Sequence, residues 1–459
     1  MVVVFDSTGT YPTESRRGFL RSLSSGMAGL GLAGFLGTEP SLLAAGSVPG
    51  THFAPRAKRM IFLFMAGGPS HVDLFDPKPA IRKFAGQRPG STNIRTERVT
   101  GGLLPSPFQF RQCGENGVEM SELLPHLQGC ADDLCVIRSV HATNPNHGPA
   151  TNFMVSGRTD PTHPSLGAWV SYGLGTENQD LPGFVSLGRA SFGSARNGYL
   201  PGEHQATTIG IERSAPAQMI RHLKNLRIEP SRQERQLEFL RTMNAPHLAE
   251  RGDDPLIEAR IRAMETAFRM QTAAPRVFDI RQETAATRAL YGEGVFADSC
   301  LLARRLVENG VRFVQINNGG WDHHENINKD IAKKCREIDR PIAALLTDLK
   351  QRGLLDDTLV LWGGEFGRTP VSENGDGRDH NPHGFTVFMA GGGVRGGMAH
   401  GVTDEFGFRA VENRVSVHDL HATVLHLLGV DHERLTYRYS GRDFRLTDVA
   451  GEVVRPILA

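Results

Sequence analysis

The sequence predicts an α/β fold, a three-layer α/β/α sandwich with a mostly parallel central sheet and one helical insertion. From residue 58 onward, apolar runs, several of which end in glycine, alternate with amphipathic segments of helical period. The composition is that of an ordinary soluble globular protein, with 39% hydrophobic and 22% charged residues. The 459 residues suffice for one large core with elaborations, or for several average domains.

Six apolar runs predict the strands of this sheet. They are the segments 58–68, 134–141, 181–187, 311–317, 357–364 and 385–393. The first of them, "KRMIFLFMAGG", is nearly continuous in apolar residues, which is typical of a parallel strand buried on both faces.

Helical patterns lie between the strands. Segments 297–310 and 328–353 end on glycine, and segment 416–429 begins with a serine cap. The stretch 213–292 contains "QERQLEFLRTMN" and "DPLIEARIRAMETAFRMQ" with no strand between them. We interpret it as a helical insertion or cap on one domain that spans 58–459.

The N-terminus predicts an export signal. Arg16 and Arg17 are followed by Phe19 and Leu20 and then by the small-residue, moderately apolar stretch 26–47. This order indicates a twin-arginine signal and linker over 1–46, and hence a protein of the periplasm or cell envelope. A disordered basic tail before a small-residue linker is the alternative. We expect no transmembrane helix beyond an uncleaved leader, because the apolar stretch is short and rich in glycine.

Charge and cysteine content exclude several classes of partner and site. With 51 Lys and Arg against 50 Asp and Glu, nothing favours nucleic acid or an anionic membrane as the main partner. The five cysteines are widely spread and form no CxxC pair, so we expect buried or incidental thiols.

Side chains that bind metals follow most of the predicted strands. In an open parallel sheet, ligands bind outside the carboxyl ends of the strands. The loops after the first, second, fourth and fifth strands, and the segment before the sixth, offer His71, Asp73, His147, Asp322, His323, His324, Glu365, Arg368, Arg378 and His380. Imidazole and carboxylate without cysteine favour Zn²⁺, with Ca²⁺, Mn²⁺ or Mg²⁺ as alternatives, and two such ions together would suit ester hydrolysis.

Simpler roles compete for some of these residues. Of the adjacent pair His323 and His324, one side chain must point away from the site. We assign Asp76 to turn chemistry. His418, His421 and His426 are structural, since their spacing cannot put all three on one helix face.

Several long motifs occur in an order that resembles one family. They are "FMAGGPSHVDLFDPKP", "NHGPATNFMVSG", "GGWDHHENI", "LVLWGGEFGRTP", "GRDHNPHGFTVFMAGGGVRGG" and "YSGRDFRLTDVAGEVV". From about residue 58 to the C-terminus the chain resembles the DUF1501 family, which is abundant in planctomycete bacteria and commonly carries twin-arginine leaders. That family in turn resembles the alkaline phosphatase superfamily of sulfatases and phosphatases. The resemblance implies the three-layer sandwich with metals at the strand ends.

The resemblance transfers unevenly to individual positions. It places Asp322 and one of His323 or His324 in the central ligand segment, and His380 at the late metal histidine. Where the superfamily has an Asp-His metal pair, this chain has Glu365 and Phe366. The nucleophile position falls on His147. No C-x-P-x-R or S-x-P-x-R motif occurs, which excludes the formylglycine mechanism of true sulfatases.

These observations lead to one functional hypothesis and two rivals. We expect an exported, metal-dependent hydrolase of phosphate or sulfate esters, such as those of a sulfated or phosphorylated glycan. The expected metal ligands are Asp322, His323 or His324, His380 and Glu365, completed by Asp73, His71 and His147. Arg368 or Arg378 would clamp the anionic oxygens. His147 would attack, ligate the metal or act as a base; we favour the last two roles, with water as the nucleophile. The rivals are a non-catalytic metal- or glycan-binding cell-envelope protein, and an isomerase or transferase.

Overall fold

The computed structural model describes residues 50–459 apart from 93, 191, 212–218, 220–222, 224–226 and 252–254. The predicted signal over 1–46, and part of the stretch 213–292, lie outside the described residues. The described residues belong to one compact unit, 48–459.

The strands are numbered in chain order. They are β1 Arg59–Met65, β2 Phe110–Cys113, β3 Val118–Ser121, β4 Leu134–His141, β5 Phe184–Leu187, β6 Thr207–Ile209, β7 Phe313–Asn318, β8 Thr358–Gly363, β9 Gly367–Glu373, β10 Gly377–Asn381, β11 Phe385–Ala390, β12 Met398–His400, β13 Val402–Thr403, β14 Ala410–Glu412, β15 Val415–Ser416, β16 Tyr437–Tyr439 and β17 Arg442–Phe444.

The α-helices of the described residues are numbered in the same way. They are α1 His71–Leu74, α2 Pro79–Lys83, α3 Pro125–Gln128, α4 His147–Ser156, α5 Leu166–Leu174, α6 Pro230–Arg251, α7 Pro255–Val277, α8 Ala285–Tyr291, α9 Val295–Glu308, α10 Ile327–Gln351 and α11 Val417–Leu427. Helices α6, α7 and α8 lie in the stretch 213–292, for which the sequence predicts a helical insertion.

The central sheet has the order β12-β4-β11-β8-β1-β7-β5-β6, and β15 also pairs with β4. All its pairs are parallel except those of β11, which runs antiparallel to β4 and β8. The predicted α/β fold with a mostly parallel sheet is confirmed. Strand β11 departs from it because residues 364–384, which precede it, form the β9–β10 hairpin, and a parallel return needs a longer crossover, usually a helix.

Strand β1 shows why the domain has three layers. Ile61, Leu63 and Met65 lie in a hydrophobic cluster that includes α9 and α10. Their neighbours Met60, Phe62 and Phe64 lie in a second cluster that includes α4, α5 and α11. Because successive side chains of a strand point to opposite faces, both faces of the sheet are covered by helices.

Two further expectations concern cysteine and the membrane. All five cysteines are free and buried, as the sequence predicts. Among the described residues, the helices include none with both the length and the apolar character that a membrane crossing requires.

Candidate metal centre

Four strands bring their carboxyl ends to the same edge of the sheet. Strand β1 is parallel to β7 and β8, and β4 has the same direction as β8 because each is antiparallel to β11. The chain leaves β7 toward Asp322 and His324, leaves β8 toward Glu365, and leaves β4 toward His147 at the start of α4. Residues from distant parts of the sequence therefore meet at this edge.

Three imidazole rings surround one oxygen, Oδ1 of Asp322. The Nε2 atoms of His324, His380 and His147 lie 2.8, 3.1 and 3.2 Å from it. The ring centroids of His147 and His380 are 4.3 Å apart, and those of His324 and His380 are 4.7 Å apart. We call these four residues the histidine cluster.

A carboxylate lies behind each of the three rings. The Nδ1 contacts are Glu365 with His147 at 2.6 Å, Glu373 with His324 at 2.5 Å, and Glu97 with His380 at 2.7 Å. An ionised carboxylate only accepts hydrogen bonds, so these contacts assign the ring proton to Nδ1. The lone pair of each Nε2 is then left for a ligand, which is the arrangement found behind metal-binding histidines.

The donor set fits a divalent ion. The Nε2 atoms of His147 and His324 are buried and have no hydrogen-bond partner, so their short distances to Asp322 lack hydrogen-bond geometry. One ligand atom from each residue of the histidine cluster lies within 4.8 Å of the others. Four ligands around a zinc ion at about 2.0–2.1 Å lie roughly 3.4 Å apart, which small side-chain shifts would reach here.

The cluster is open to solvent on one side. The Asp322 side chain is 43% exposed and that of His147 is 26% exposed, whereas that of His380 is only 4% exposed. Metal sites that act on substrates keep an open position, while structural zinc sites are closed by protein ligands. The exposure of Asp322 therefore favours a site that a substrate can enter.

Contacts between the histidines and the carboxylates shift the pKa values of the cluster. Burial disfavours a charge on His147, but its interactions with Asp322 and Glu365 outweigh this and raise its pKa to about 9. Burial also opposes ionisation of Asp322, yet the three histidines hold the pKa of this carboxyl well below its usual range. Interaction with Asp322 is the main cause that raises the pKa of His324. An ion that enters the cluster would displace protons from these rings.

The β9–β10 hairpin delivers His380 to the site. Its three-residue turn, 374–376, has Asn374 at φ 49° and Gly375 at φ 92°, left-handed values that asparagine and glycine adopt more readily than other residues. Within the hairpin His380 pairs with Arg368. The antiparallel register thus sets His380 and Arg368 side by side beneath Asp322.

Close backbone contact explains a glycine in the first loop. Gly67 has φ 118°, and a Cβ atom there would lie 2.6 Å from the backbone nitrogen of Asp322. Its N–H donates to both carboxylate oxygens of Glu365, at 3.0 and 3.1 Å. Only glycine combines this conformation with this approach.

Neither predicted arginine is free to hold a substrate. Arg368 is fully buried and donates to the carbonyl oxygens of Gly67, Gly68, Trp321 and Arg378, and to Asp322 Oδ1 at 2.7 Å. It therefore orients Asp322 and the loops around it.

Arg378 is also almost completely buried. It forms a bidentate ion pair with Asp73, at 2.8 and 3.2 Å, and donates to the carbonyl oxygens of Thr369 and Leu104. Because the guanidinium groups of Arg368 and Arg378 are consumed by protein acceptors, the structure supports positioning roles for both, in place of the expected anion clamp.

Four further predicted ligands lie outside the histidine cluster. Asp73 is held by Arg378 and Ser70, and His71 Nε2 contacts the carbonyl oxygen of Gly407 at 2.7 Å. His323 is not part of the cluster, and burial lowers its pKa to about 4. Glu365 is near the cluster but contacts it through His147 Nδ1.

Sequence reasoning missed two of the three carboxylates behind the rings, Glu97 and Glu373. Glu97 lies in an irregular loop with no strand pattern to place it, so no signal pointed to it. Glu373 ends β9, and the "ENGDG" turn that follows it is a readable hairpin signal. Glu373 also forms a group with His324 and Asp379, and Glu97 forms one with His380 and Asp379.

Replacing Glu373 with glutamine is expected to weaken metal binding without removing a ligand. The amide cannot accept from His324 Nδ1–H with the strength of a carboxylate, and loss of such outer contacts typically costs about 10- to 100-fold in affinity. Competition titration of the purified protein with a zinc chelator measures this change. The exposed Glu412, at the end of β14, provides the matched Glu412→Gln control. Equal zinc affinity in the two variants would contradict the assignment.

The chain is similar in fold to several solved structures. One is a sulfatase from Pseudoalteromonas sp., at 13% identity and a TM-score of 0.38, with 88% of this chain and 72% of that chain covered. A second is a lipoteichoic acid synthase from Listeria monocytogenes, at 11% identity and a TM-score of 0.38, with 88% and 79% covered. A third is an alkaline phosphatase superfamily protein from Vibrio parahaemolyticus, at 12% identity and a TM-score of 0.34, with 86% and 72% covered.

Sequence comparison identifies the family. No curated protein matches the chain. The family described as "Protein of unknown function (DUF1501)" matches residues 57–458, almost the whole described unit. The chain therefore belongs to the DUF1501 family.

Proposed function

We propose that this protein is an exported, metal-dependent hydrolase that splits phosphate or sulfate esters with water as the nucleophile. The observation that supports it is the histidine cluster, in which three Nε2 atoms and one solvent-exposed carboxylate meet at the edge of the sheet. Export rests on Arg16 and Arg17 in the leader.

The four residues of the histidine cluster would hold the ion, and their nitrogen and oxygen donors favour Zn²⁺. A bound ion of this kind supplies a Lewis acid for the ester oxygen and lowers the pKa of water. The chain's own contribution is to hold each Nδ1 proton on a carboxylate and to fix Asp322 through Arg368.

Water is the proposed nucleophile because the position that would carry a side-chain nucleophile carries His147. Its Nδ1 is 2.6 Å from Glu365, and its Nε2 is aimed into the cluster. A ring that Glu365 holds at Nδ1, and whose Nε2 would bind the ion, is suited to ligation and not to attack on the ester. Hydrolysis then adds water across the ester bond and releases an alcohol with inorganic phosphate or sulfate.

Arg98 is the proposed contact for the anionic oxygens of the substrate. Its side chain is 52% exposed, unlike the buried Arg368 and Arg378. Its Nη1 lies 3.3 Å from Glu373, and its backbone N–H donates to Asp379 at 2.7 Å. The accessible guanidinium is thereby held at Glu373, the carboxylate behind His324, where it can form charge-assisted hydrogen bonds with the ester.

The zinc-loaded full-length protein is expected to hydrolyse at least one of 4-nitrophenyl phosphate, 4-nitrophenyl sulfate, glucose 6-phosphate and glucose 6-sulfate. Arg98→Ala is expected to reduce kcat/KM for that ester by about 10- to 100-fold, since hydrogen bonds to charged groups contribute roughly 1.5–3 kcal/mol. Arg95, an exposed arginine of the same loop, provides the Arg95→Ala control.

The same assay separates the proposal from its rivals. No covalent phosphate or sulfate adduct is expected on the protein after quenching in acid, because water attacks the ester directly. An adduct on His147 would overturn the water mechanism. One bound ion per chain without turnover of any ester would favour a non-catalytic metal-binding protein instead.

A further inference from the structure

An exposed aromatic ring stands beside the histidine cluster. Phe192 is 59% exposed and follows β5 in the chain. A methyl group added to Gly148 would lie 3.5 Å from Phe192 Cε1, so the ring borders the first turn of α4. Gly148 directly follows His147, whose ring belongs to the cluster. Phe192 therefore borders the helix turn that carries His147.

The backbone holds Phe192 in an unfavourable conformation. Its φ of 41° lies in the left-handed region, which costs a bulky residue on the order of 1 kcal/mol or more. The next residue fixes it: the N–H of Gly193 donates to Asn152 Oδ1 at 3.2 Å, and a Cβ atom at Gly193 would lie 2.7 Å from the same oxygen. Asn152 belongs to α4, the helix that begins with His147, so one helix positions both rings.

Amide side chains lie on the same rim. Asn146 is exposed and makes no side-chain hydrogen bond that caps α4, within the described part of the chain. Its backbone N–H donates to Asn144 Oδ1 at 2.9 Å, which brings the two residues together. An amide both donates and accepts hydrogen bonds, and a sugar hydroxyl does the same.

We propose that Phe192 is a platform for a sugar ring of the substrate, and that the site acts on sulfated or phosphorylated sugars. This inference rests on the proposed hydrolase function and adds its substrate class. A flat aromatic face packs against the C–H face of a pyranose, while Asn146 contacts hydroxyl groups and the ester group faces the cluster and Arg98. The near-zero net charge argues against nucleic acid as the partner of this ring.

Binding of glucose 6-sulfate and glucose 6-phosphate, with ethyl sulfate and ethyl phosphate as ring-free probes, tests the platform. In titration calorimetry on the zinc-loaded protein, Phe192→Ala is expected to weaken the binding of the sugar esters about tenfold relative to the binding of the ring-free esters. Phe239→Ala is the matched control, because Phe239 is 63% exposed and lies on α6. It is expected to leave this ratio unchanged.

A second variant gives a readout that does not depend on turnover. Phe192→Trp adds an exposed indole to three tryptophans that are all buried. Its fluorescence is expected to change saturably with either sugar ester and not with the ethyl esters.

The outcomes distinguish the two proposals. A fluorescence response and a tenfold ratio without hydrolysis would keep the platform and reject the hydrolase. Suppose instead that hydrolysis occurs and that the ratio of the affinities for sugar and ring-free esters is the same in wild type, Phe192→Ala and Phe239→Ala. That outcome would support the hydrolase and reject the platform.

Discussion

A protein with His324 replaced by alanine is expected to lose its metal ion and its ester hydrolysis while it keeps its fold. The substitution removes one of three Nε2 donors and leaves the Glu373 carboxylate without its imidazole partner. Loss of an outer contact alone costs about 10- to 100-fold in metal affinity, so loss of the ligand itself is expected to exceed about 100-fold. Metal analysis after dialysis against buffered free zinc, together with the rate of ester hydrolysis, measures both effects.

The neighbouring residue provides the control. His323 is adjacent in sequence and is the more buried of the two, but it lies outside the histidine cluster. His323→Ala is expected to retain one zinc ion per chain, and circular dichroism checks that both variants fold. If His323→Ala lost the ion and His324→Ala retained it, the assignment of the two rings would be reversed.

Replacing Asp73 with alanine is expected to destabilise the fold by about 3–5 kcal/mol, because it leaves a buried arginine without its counter-ion. The side chains of Asp73 and Arg378 are each only 1% exposed, and the carboxylate also accepts from Ser70. Urea unfolding measures the change in free energy. Asp443→Ala is the matched control, since its pair with Arg438 spans the same kind of distance, 3.1 Å, but both side chains are more than half exposed.

The contribution of the Asp73–Arg378 ion pair to stability is expected to fall in acid. Burial disfavours ionised Asp73, but Arg378 outweighs it, so the pKa of Asp73 lies below its ordinary value. A carboxyl whose pKa is lower in the folded state than in the unfolded state stabilises the fold fully above its unfolded pKa of about 3.9. This stabilisation is lost as the pH falls through the folded-state pKa. The stability difference between wild type and Asp73→Ala should therefore narrow below about pH 4. A difference that widened in acid would contradict the ion pair.

The fold and the outline of the site were predictable because each rests on a local pattern. Apolar runs that end in glycine mark buried strands, and parallel strands deliver their carboxyl ends to one edge. That rule is enough to expect Asp322, His147 and His380 near one another. It cannot choose between His323 and His324, because the choice depends on the backbone path between Trp321 and α10.

The roles of the arginines depend on packing, which local patterns do not contain. Arg368 and Arg378 each follow a glycine in a polar segment. This pattern is equally compatible with an exposed arginine that binds an anion and with a buried arginine that positions other residues. The β9–β10 hairpin buries both, since their guanidinium groups meet carbonyl oxygens of loops more than 200 positions away. Glu97 and Arg98 lie in a loop that is held by tertiary contacts, among them those of Arg98 with Asp379 and Glu373.

The ligands of the histidine cluster come from three distant points of the chain: residue 147, residues 322 and 324, and residue 380. The shortest fragment that contains them all, 147–380, lacks strands β1, β4 and β11 of the central sheet, so the four ligands meet only after most of the unit 48–459 has folded. An ion that binds only the folded chain shifts the folding equilibrium toward the native state, so stability depends on the concentration of free ion. At free ion a hundredfold above its dissociation constant, this coupling stabilises the native state by about 2.7 kcal/mol. Under the proposed function, export into an ion-poor compartment would leave the protein both inactive and more easily degraded.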